Sequence, residues 1–255
     1  MTEYRPVGAV AHGGAVSQRL QPCAALGPYV VTYFTQQVPA GASASVRTLP
    51  EGCADILFDL VHCRAWLNGP RLTARVFRHL GPAHFIGAQL SPGAAHLLSS
   101  IAARQLVETE RPLAEVTGLD VGALISKLNS SPPAEVLDAL LLERLGQRVV
   151  DSRVSAAMAR ILAQQGAEPT ARTAAAVATS ERNLTRLFHE WIGIAPKVIA
   201  RTVRFQYVLE RLATGKAPRW SALAAELGYS DQAHLIRDFV AFAGHSPSAW
   251  RHQGP

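Results

Sequence analysis

The sequence predicts an α+β protein in two parts: a β-rich N-terminal half built as a barrel or sandwich with a helical appendage, then an all-α domain. Three observations carry this. Short segments rich in β-branched and aromatic residues, split by Gly/Pro turns, fill much of the chain between Tyr29 and Leu90 without strand–helix alternation. From Pro92 the apolar spacing becomes helical and stays so to the end. The net charge of +6 is also uneven. Residues 1–150 hold 12 Lys+Arg against 11 Asp+Glu, and residues 151–255 hold 13 against 8. The basic excess therefore falls in the helical part, as expected of a segment that meets a polyanion.

Other totals narrow the class. Hydrophobic content of 48% supports real cores. No apolar run reaches the roughly 18 residues of a membrane span, and MTEYRPVGAVAHGGAVSQRL lacks the apolar core of a secretory signal. Three cysteines (Cys23, Cys53, Cys63) form no tight pair, which suits a reducing compartment. The expectation is a cytoplasmic protein.

In order along the chain, strands are expected over YVVTYFTQQV, ADILFDLV, RAWLNG, RVFRHL and HFIGAQL. Helices are expected over AAHLLSSIAARQLVE, VGALISKL and AEVLDALLLERLGQRV. A boundary near residue 150 separates residues 1–150 from residues 151–255. Beyond it, Asp151 or Ser152 caps a helix with Val154, Ala157, Met158, Ile161 and Leu162 on one stripe, ended by Gly166. Later helices are broken at Gly193, Pro196, Gly215, Pro218, Gly228 and Gly244.

The last hundred residues contain a duplication. Leu184, Arg186, Phe188, Gly193 and Pro196 recur at Leu235, Arg237, Phe239, Gly244 and Pro247, each 51 positions on. Ser180 and Ser230 are 50 apart, so the second copy carries one extra residue at its helix start. In that copy SALAAEL is a short helix, Gly228 allows a tight turn, and Ser230 or Asp231 caps the next helix. Ala224 is small where two helices must cross. This is a helix-turn-helix pattern, repeated with Ala178 in the glycine position of the first copy.

Helical spacing divides each second helix into faces. Leu184, Leu187, Phe188 and Trp191 point inward, with Arg182, Thr185, Arg186 and His189 outward. In the second copy Leu235, Phe239 and Phe242 anchor, leaving Gln232, Ala233, Ile236, Arg237 and Val240 outward. Arg pairs well with guanine and Gln with adenine in the major groove. Between the copies, PKVIARTVRFQYVLERLAT would form a rod of roughly 28 Å, near the roughly 34 Å of one DNA turn.

GYSDQAHLIRDF followed by Gly244, Pro247, Trp250 and Arg251, with ARTVRFQYVLERL before it, resembles the DNA-binding domain of AraC/XylS-type bacterial transcription regulators. The resemblance implies base contacts by Arg182 and Arg186 in the first recognition helix and by Gln232, Ala233, Ile236 and Arg237 in the second. With Asn183 and Thr185 added from the same helix, these eight are the candidate DNA-binding residues. Ile236, Val240 and Ala178 depart from the commonest pattern and leave the target sequence open. LPEGCADILFDL, NGPRL and FIGAQLSPGAAHLL more loosely resemble the cupin-like N-terminal domain of such regulators. That implies a small-molecule effector or a homodimer through residues 1–150, with RNA polymerase as a further partner.

Several residue constellations could carry other chemistry. Cys53 and Cys63 with His62, or His62, His79, His84 and His96, could hold a metal, but the tight H-x-H pair is missing. Asp55 and Asp59 point the same way along a strand, with no acid–base partner in view. No G-x-S-x-G, Walker loop or paired C-x-x-C occurs. Neither enzyme activity nor a cofactor is expected; the alternative is a cupin-like enzyme or metal-binding barrel tethered to DNA. Tyr33 and Trp66 are candidates for lining an effector pocket or for core packing. The stretch from Val136 to Leu145 could form a dimer seam or close its own domain.

Overall fold

A computed structural model describes residues 6, 9–146, 148–213 and 219–252. The expected breaks at Gly215 and Pro218 lie outside them, as does the side chain of Arg251.

Among the described residues nine strands come first: β1 (Ala9–Gly13), β2 (Val16–Leu20), β3 (Val30–Val38), β4 (Ser43–Thr48), β5 (Ala54–Asp59), β6 (Arg64–Asn68), β7 (Arg75–Leu80), β8 (Ala83–Leu90) and, after two short helices, β9 (Glu110–Pro112). They form two antiparallel sheets, ordered β1-β4-β7 and β2-β3-β8-β5-β6-β9. The expected barrel is therefore open. β1 and β2 follow one another in sequence yet enter different sheets, and among the described residues no strand pairs one sheet with the other. Along β3, Val30 and Tyr33 belong to the main core, and β5 adds Ile56 and Phe58 from alternate positions.

The helical appendage covers the outer face of the larger sheet. The single helix expected over AAHLLSSIAARQLVE is two, α1 (Ala94–Leu98) and α2 (Ala103–Leu106). Ser99 leaves helical geometry at φ −93°, ψ 143°. Its Oγ then accepts from the Ile101 amide at 3.1 Å, while the Ser100 amide donates to the Val116 carbonyl. Then come α3 (Leu113–Thr117), α4 (Val121–Ser130) and α5 (Pro133–Leu145). Leu137, Leu140, Leu141 and Leu145 of α5 all enter the main core. These four leucines of the Val136–Leu145 stretch close their own domain, while Leu142 is exposed.

The remaining helices are α6 (Ser152–Ala163), α7 (Thr170–Ala176), α8 (Glu181–Trp191), α9 (Pro196–Ala213), α10 (Trp220–Glu226), α11 (Gln232–Ala243) and α12 (Pro247–His252). Asp151 caps α6 through the Arg153 amide at 2.9 Å. α6, α7, α8 and the first half of α9 share one core containing Val154, Ile161, Leu184, Phe188 and Ile199. The second half of α9, with α10 to α12, shares another around Phe205, Leu223, Leu235, Phe239 and Trp250. No helix among the described residues is long and apolar enough to cross a membrane.

The two halves of the chain are in contact. Leu49, on the β4–β5 connection, is 2% exposed and belongs to the core around Phe205. The next carbonyl, of Pro50, accepts from Gln206 Nε2 of α9 at 2.6 Å. The Ala74 amide donates to the Phe242 carbonyl, and the Arg47 guanidinium lies 5.0 Å from the Trp250 ring.

Candidate nucleic-acid interface and inter-sheet cavity

The helix pairs α7–α8 and α10–α11 are built alike. After α7 the Thr179 amide donates to the Ala174 carbonyl, and after α10 the Tyr229 amide donates to that of Ala224. Gly228 turns at φ 70°, and Ala178 does so at φ 52°. An L-residue pays roughly 1–2 kcal/mol in that region, so packing rather than local preference holds the first turn. The caps are Ser180, accepting from the Asn183 amide at 3.1 Å, and Asp231, accepting from the His234 amide at 2.6 Å. They lie 51 positions apart, like the five repeated residues. The extra residue of the second copy thus sits in the turn, before the cap, rather than in the helix.

The buried faces are as the spacing predicts, with Leu184, Leu187, Phe188, Leu235, Phe239 and Phe242 inside. On the other side Arg182, Arg186, Gln232, Ala233 and Arg237 are exposed. Asn183 and Thr185 are half-buried. Thr185 Oγ1 donates to its own helix at the Glu181 carbonyl, and Asn183 Nδ2 donates to Thr179 Oγ1 at 2.7 Å. Arg186 donates to Glu190 Oε2 at 2.7 Å and to Asn183 Oδ1 through both Nε and Nη2. Ile236, expected to face outward, is half-buried against the Phe205 core. Its position between Leu235 and Phe239 on a narrow helix leaves part of it over the apolar seam.

Two arginines of α9 fix the second pair. Arg201 donates from Nη2 to Asp238 Oδ1 at 2.7 Å and from Nε to both carboxylate oxygens at 3.2 Å. Asp238 is 5% exposed and lies on the inner side of α11. Arg204 stacks 4.6 Å from the Tyr229 ring centroid and donates to the Gly228 carbonyl.

A second feature lies between the sheets: a cavity of about 690 Å³ with walls from strands of both. Phe34, Trp66, Phe77 and Phe85 give it aromatic walls. Phe34 lies directly opposite Gly87, where a Cβ would fall 2.2 Å from the ring, so glycine makes room for it. Of the two pocket candidates, Trp66 lines this cavity. Tyr33 does not: it is fully buried in the main core and donates to Asp138 Oδ1 at 2.8 Å. Period two explains the difference, since Thr32 and Phe34 face the cavity and Tyr33 the opposite side.

The polar end of the cavity was not foreseen. Glu51 and Gln89 are 7% and 5% exposed, and Gln89 Nε2 donates to Glu51 Oε1 at 2.7 Å. Asp55 lies directly opposite Gln89 across β5 and β8. Burial pushes the Glu51 carboxyl well up, with the neighbouring Asp55 charge adding to it. Burial pushes Asp55 up to about 7, against a smaller opposing effect of Arg71. Asp59 accepts from the Val61 and His62 amides and from His62 Nδ1, closing the turn after β5. A polar residue inside the apolar run FIGAQL was the one sequence signal for Gln89.

The folded chain therefore holds the Asp55 proton to a higher pH than the unfolded chain does. The Asp55 contribution to stability falls as pH rises from about 4 to about 7 and is level beyond. Asp55→Asn is expected to leave stability at pH 4 nearly unchanged and to raise it at pH 8 by roughly 1–4 kcal/mol. Thermal unfolding of both proteins across that range checks this; a difference independent of pH would contradict it.

The four histidines weighed as a metal site are dispersed. His62 bonds Asp59, His84 Nε2 lies 3.2 Å from Gln37 Nε2, His96 packs on Trp191, and His79 lies by Phe85 in the cavity wall. Among the described residues no three metal-ligating side chains cluster. Cys53 is buried and Cys63 exposed, both as free thiols.

Residues 173–253 match the family model of a helix-turn-helix domain, and residues 18–112 match that of a domain of unknown function, DUF6597. No curated protein matches the chain. Among solved structures, the 1.65 Å structure of ToxT from Vibrio cholerae is similar at 10% identity and TM-score 0.44, covering 96% of this chain and 98% of that one. Wild-type ToxT from strain SCE256, described as bound to an unsaturated fatty acid, is similar at 10% identity and TM-score 0.42, covering 97% and 96%.

Proposed function

We propose that this chain, whose residues 173–253 match a helix-turn-helix domain family, is an AraC-type DNA-binding transcription regulator. One chain reads duplex DNA in two successive major grooves, α8 in one and α11 in the next, while the inter-sheet cavity takes a small-molecule effector. Residues 1–150 are the sensing domain and residues 151–255 the DNA-binding domain. The protein works in the cytoplasm and catalyses no reaction.

The observation that carries this is the repetition of one turn-and-cap geometry on either side of α9. Each copy presents an exposed polar helix face over a buried apolar one. At about 1.5 Å per residue α9 is a rod of roughly 27 Å, close to the spacing of successive grooves on one DNA face. Arg182, Arg186, Gln232 and Arg237 make the base-edge contacts. Asn183 and Thr185 support them, Ala233 meets the groove by shape, and Ile236 contributes only its exposed part. Arg186 exchanges its hydrogen bonds to Asn183 Oδ1 for DNA acceptors.

Selection of binding sites from a random duplex library, with the full chain, tests the reading. A motif of two half-sites about one helical turn apart supports it, and no enrichment of any sequence sinks it. Arg186→Ala or Arg237→Ala, assayed on the selected duplex, is expected to cost about 1–3 kcal/mol and to relax preference at the base pairs concerned. Unchanged affinity for that duplex would remove the residue from the contact set.

A further inference from the structure

We infer that the duplex site is polarised. The half-site under α8 is rich in G·C pairs, and the half-site under α11 is rich in A·T pairs whose thymine methyls meet an apolar stripe ending at Val240. This rests on the two-groove reading and names the kind of sequence each groove holds.

The repeat supplies the comparison. The caps Ser180 and Asp231 are 51 positions apart, and so are the buried anchors Leu184 and Leu235, and Phe188 and Phe239. Residues 51 apart therefore occupy the same place on the two helices. On each helix an outer stripe runs i, i+3, i+4, i+7, the spacing of one helix face. From first to last residue it advances roughly 10 Å, the rise of about three base pairs. On α8 the stripe is Arg182, Thr185, Arg186 and His189; on α11 it is Ala233, Ile236, Arg237 and Val240.

The third place matches. Arg186 and Arg237 both offer a fork to O6 and N7 of guanine, so each half-site holds a guanine in a corresponding position. At the other three places α8 has a guanidinium, a hydroxyl and an imidazole where α11 has a methyl, a sec-butyl and an isopropyl group. Arg182 gives α8 a second fork for guanine, while Thr185 gives its hydroxyl to its own helix. The residues just before the stripes differ in the same sense: Glu181 can accept from the amino group of cytosine, and Gln232 can pair with adenine. From one end of the stripe to the other, α11 is moved from G·C toward A·T.

Exposure makes the apolar stripe available. Ala233 is exposed and Val240 is 42% exposed, on a helix whose inner side is already filled by Leu235, Phe239 and Phe242. Ile236, half-buried over the seam, adds its exposed part. One exposed valine needs no explanation. Three apolar side chains in line on the groove-facing side, at places where the sister helix is polar, do. The C5 methyl of thymine is the apolar group that base edges present in the major groove, and covering it takes apolar surface of both partners out of water.

The test uses the full chain and the duplex obtained by selection, with Arg186→Ala and Arg237→Ala showing which half-site belongs to which helix. Every thymine of one half-site at a time is replaced by deoxyuridine, which lacks only the C5 methyl and keeps the pairing edge. Replacement under α11 is expected to weaken binding about fourfold for each methyl covered, the worth of one buried carbon. Replacement under α8 should change it less than about twofold. In Val240→Ala, a change at an exposed site, the penalty under α11 should shrink severalfold. Ala233→Arg, which gives α11 the residue of α8, should bring a new guanine into its half-site on reselection. Equal penalties in the two half-sites, no penalty under α11, or a G·C-rich half-site there overturns the polarity and leaves the two-groove reading standing. A library that yields no motif overturns both, so the two failures are told apart.

Discussion

Arg201→Ala is expected to lower the free energy of unfolding by about 3–5 kcal/mol, because it leaves the Asp238 carboxylate buried without its partner. Asp238 projects from the inner side of α11 and receives three hydrogen bonds from one guanidinium of α9. The same guanidinium lies 5.2 Å from the Phe242 ring centroid, so truncation also removes packing. His234 Nε2, 4.0 Å from Asp238 Oδ2, is too distant to replace it. DNA affinity should fall as well, since the pair sets how α11 lies on α9. Denaturant titration of parent and variant measures the effect, and an unmoved midpoint would show that the carboxylate finds water instead. Replacing both partners, Arg201→Met with Asp238→Leu, is expected to recover most of the loss, because the charge pair itself gains little over apolar packing.

Leu49→Ala is expected to cost about 2–5 kcal/mol, the range for emptying a leucine site in a packed core. Leu49 comes from the sheet half of the chain, yet its neighbours are Phe205, Val208 and Leu209 of α9 and residues of α10 and α11. Residues 151–255 on their own lack it. That fragment is therefore expected to unfold at lower temperature than the corresponding part of the full chain, with the gap narrowed when Leu49→Ala is introduced into the full chain. Denaturant curves and residue-resolved hydrogen exchange report both; a loss below about 1 kcal/mol would mean that the core closes without Leu49.

The helical half was legible because its signals are local. Caps at Asp151, Ser180 and Asp231, an apolar stripe of period 3.6 and a glycine at the turn all lie within one or two helical turns of the residues they govern. Ala178 shows the limit, for its positive φ is imposed by neighbours and no residue type announces it. In the sheet half, β3 and β5 to β8 were visible through their β-branched and aromatic residues. β1, β2, β4 and β9 were not. AVAHG, VSQRL and SASVRT are small or polar, and their strand conformation comes from pairing with β3, β4 and β7 rather than from themselves. The cavity was hidden for the same reason. Glu51, Asp55, Arg71 and Gln89 carry no common spacing and meet only through strand register.

The sheet half grips both helix pairs at once. Gly193, at the end of α8, has its α-carbon so near the Ala103 carbonyl of α2 that a Cβ would lie 2.5 Å from it. At the far end, Leu49, Ala74 and Arg47 hold α9, α11 and α12. On the proposed reading the molecule is a caliper whose jaws are set by a third body. Each base pair turns the duplex by about 34–36°, so one inserted between the half-sites swings the second groove away from a jaw that cannot follow. Such a chain forgives a wrong letter more readily than a wrong interval, and its targets would share a phase before they share a sequence.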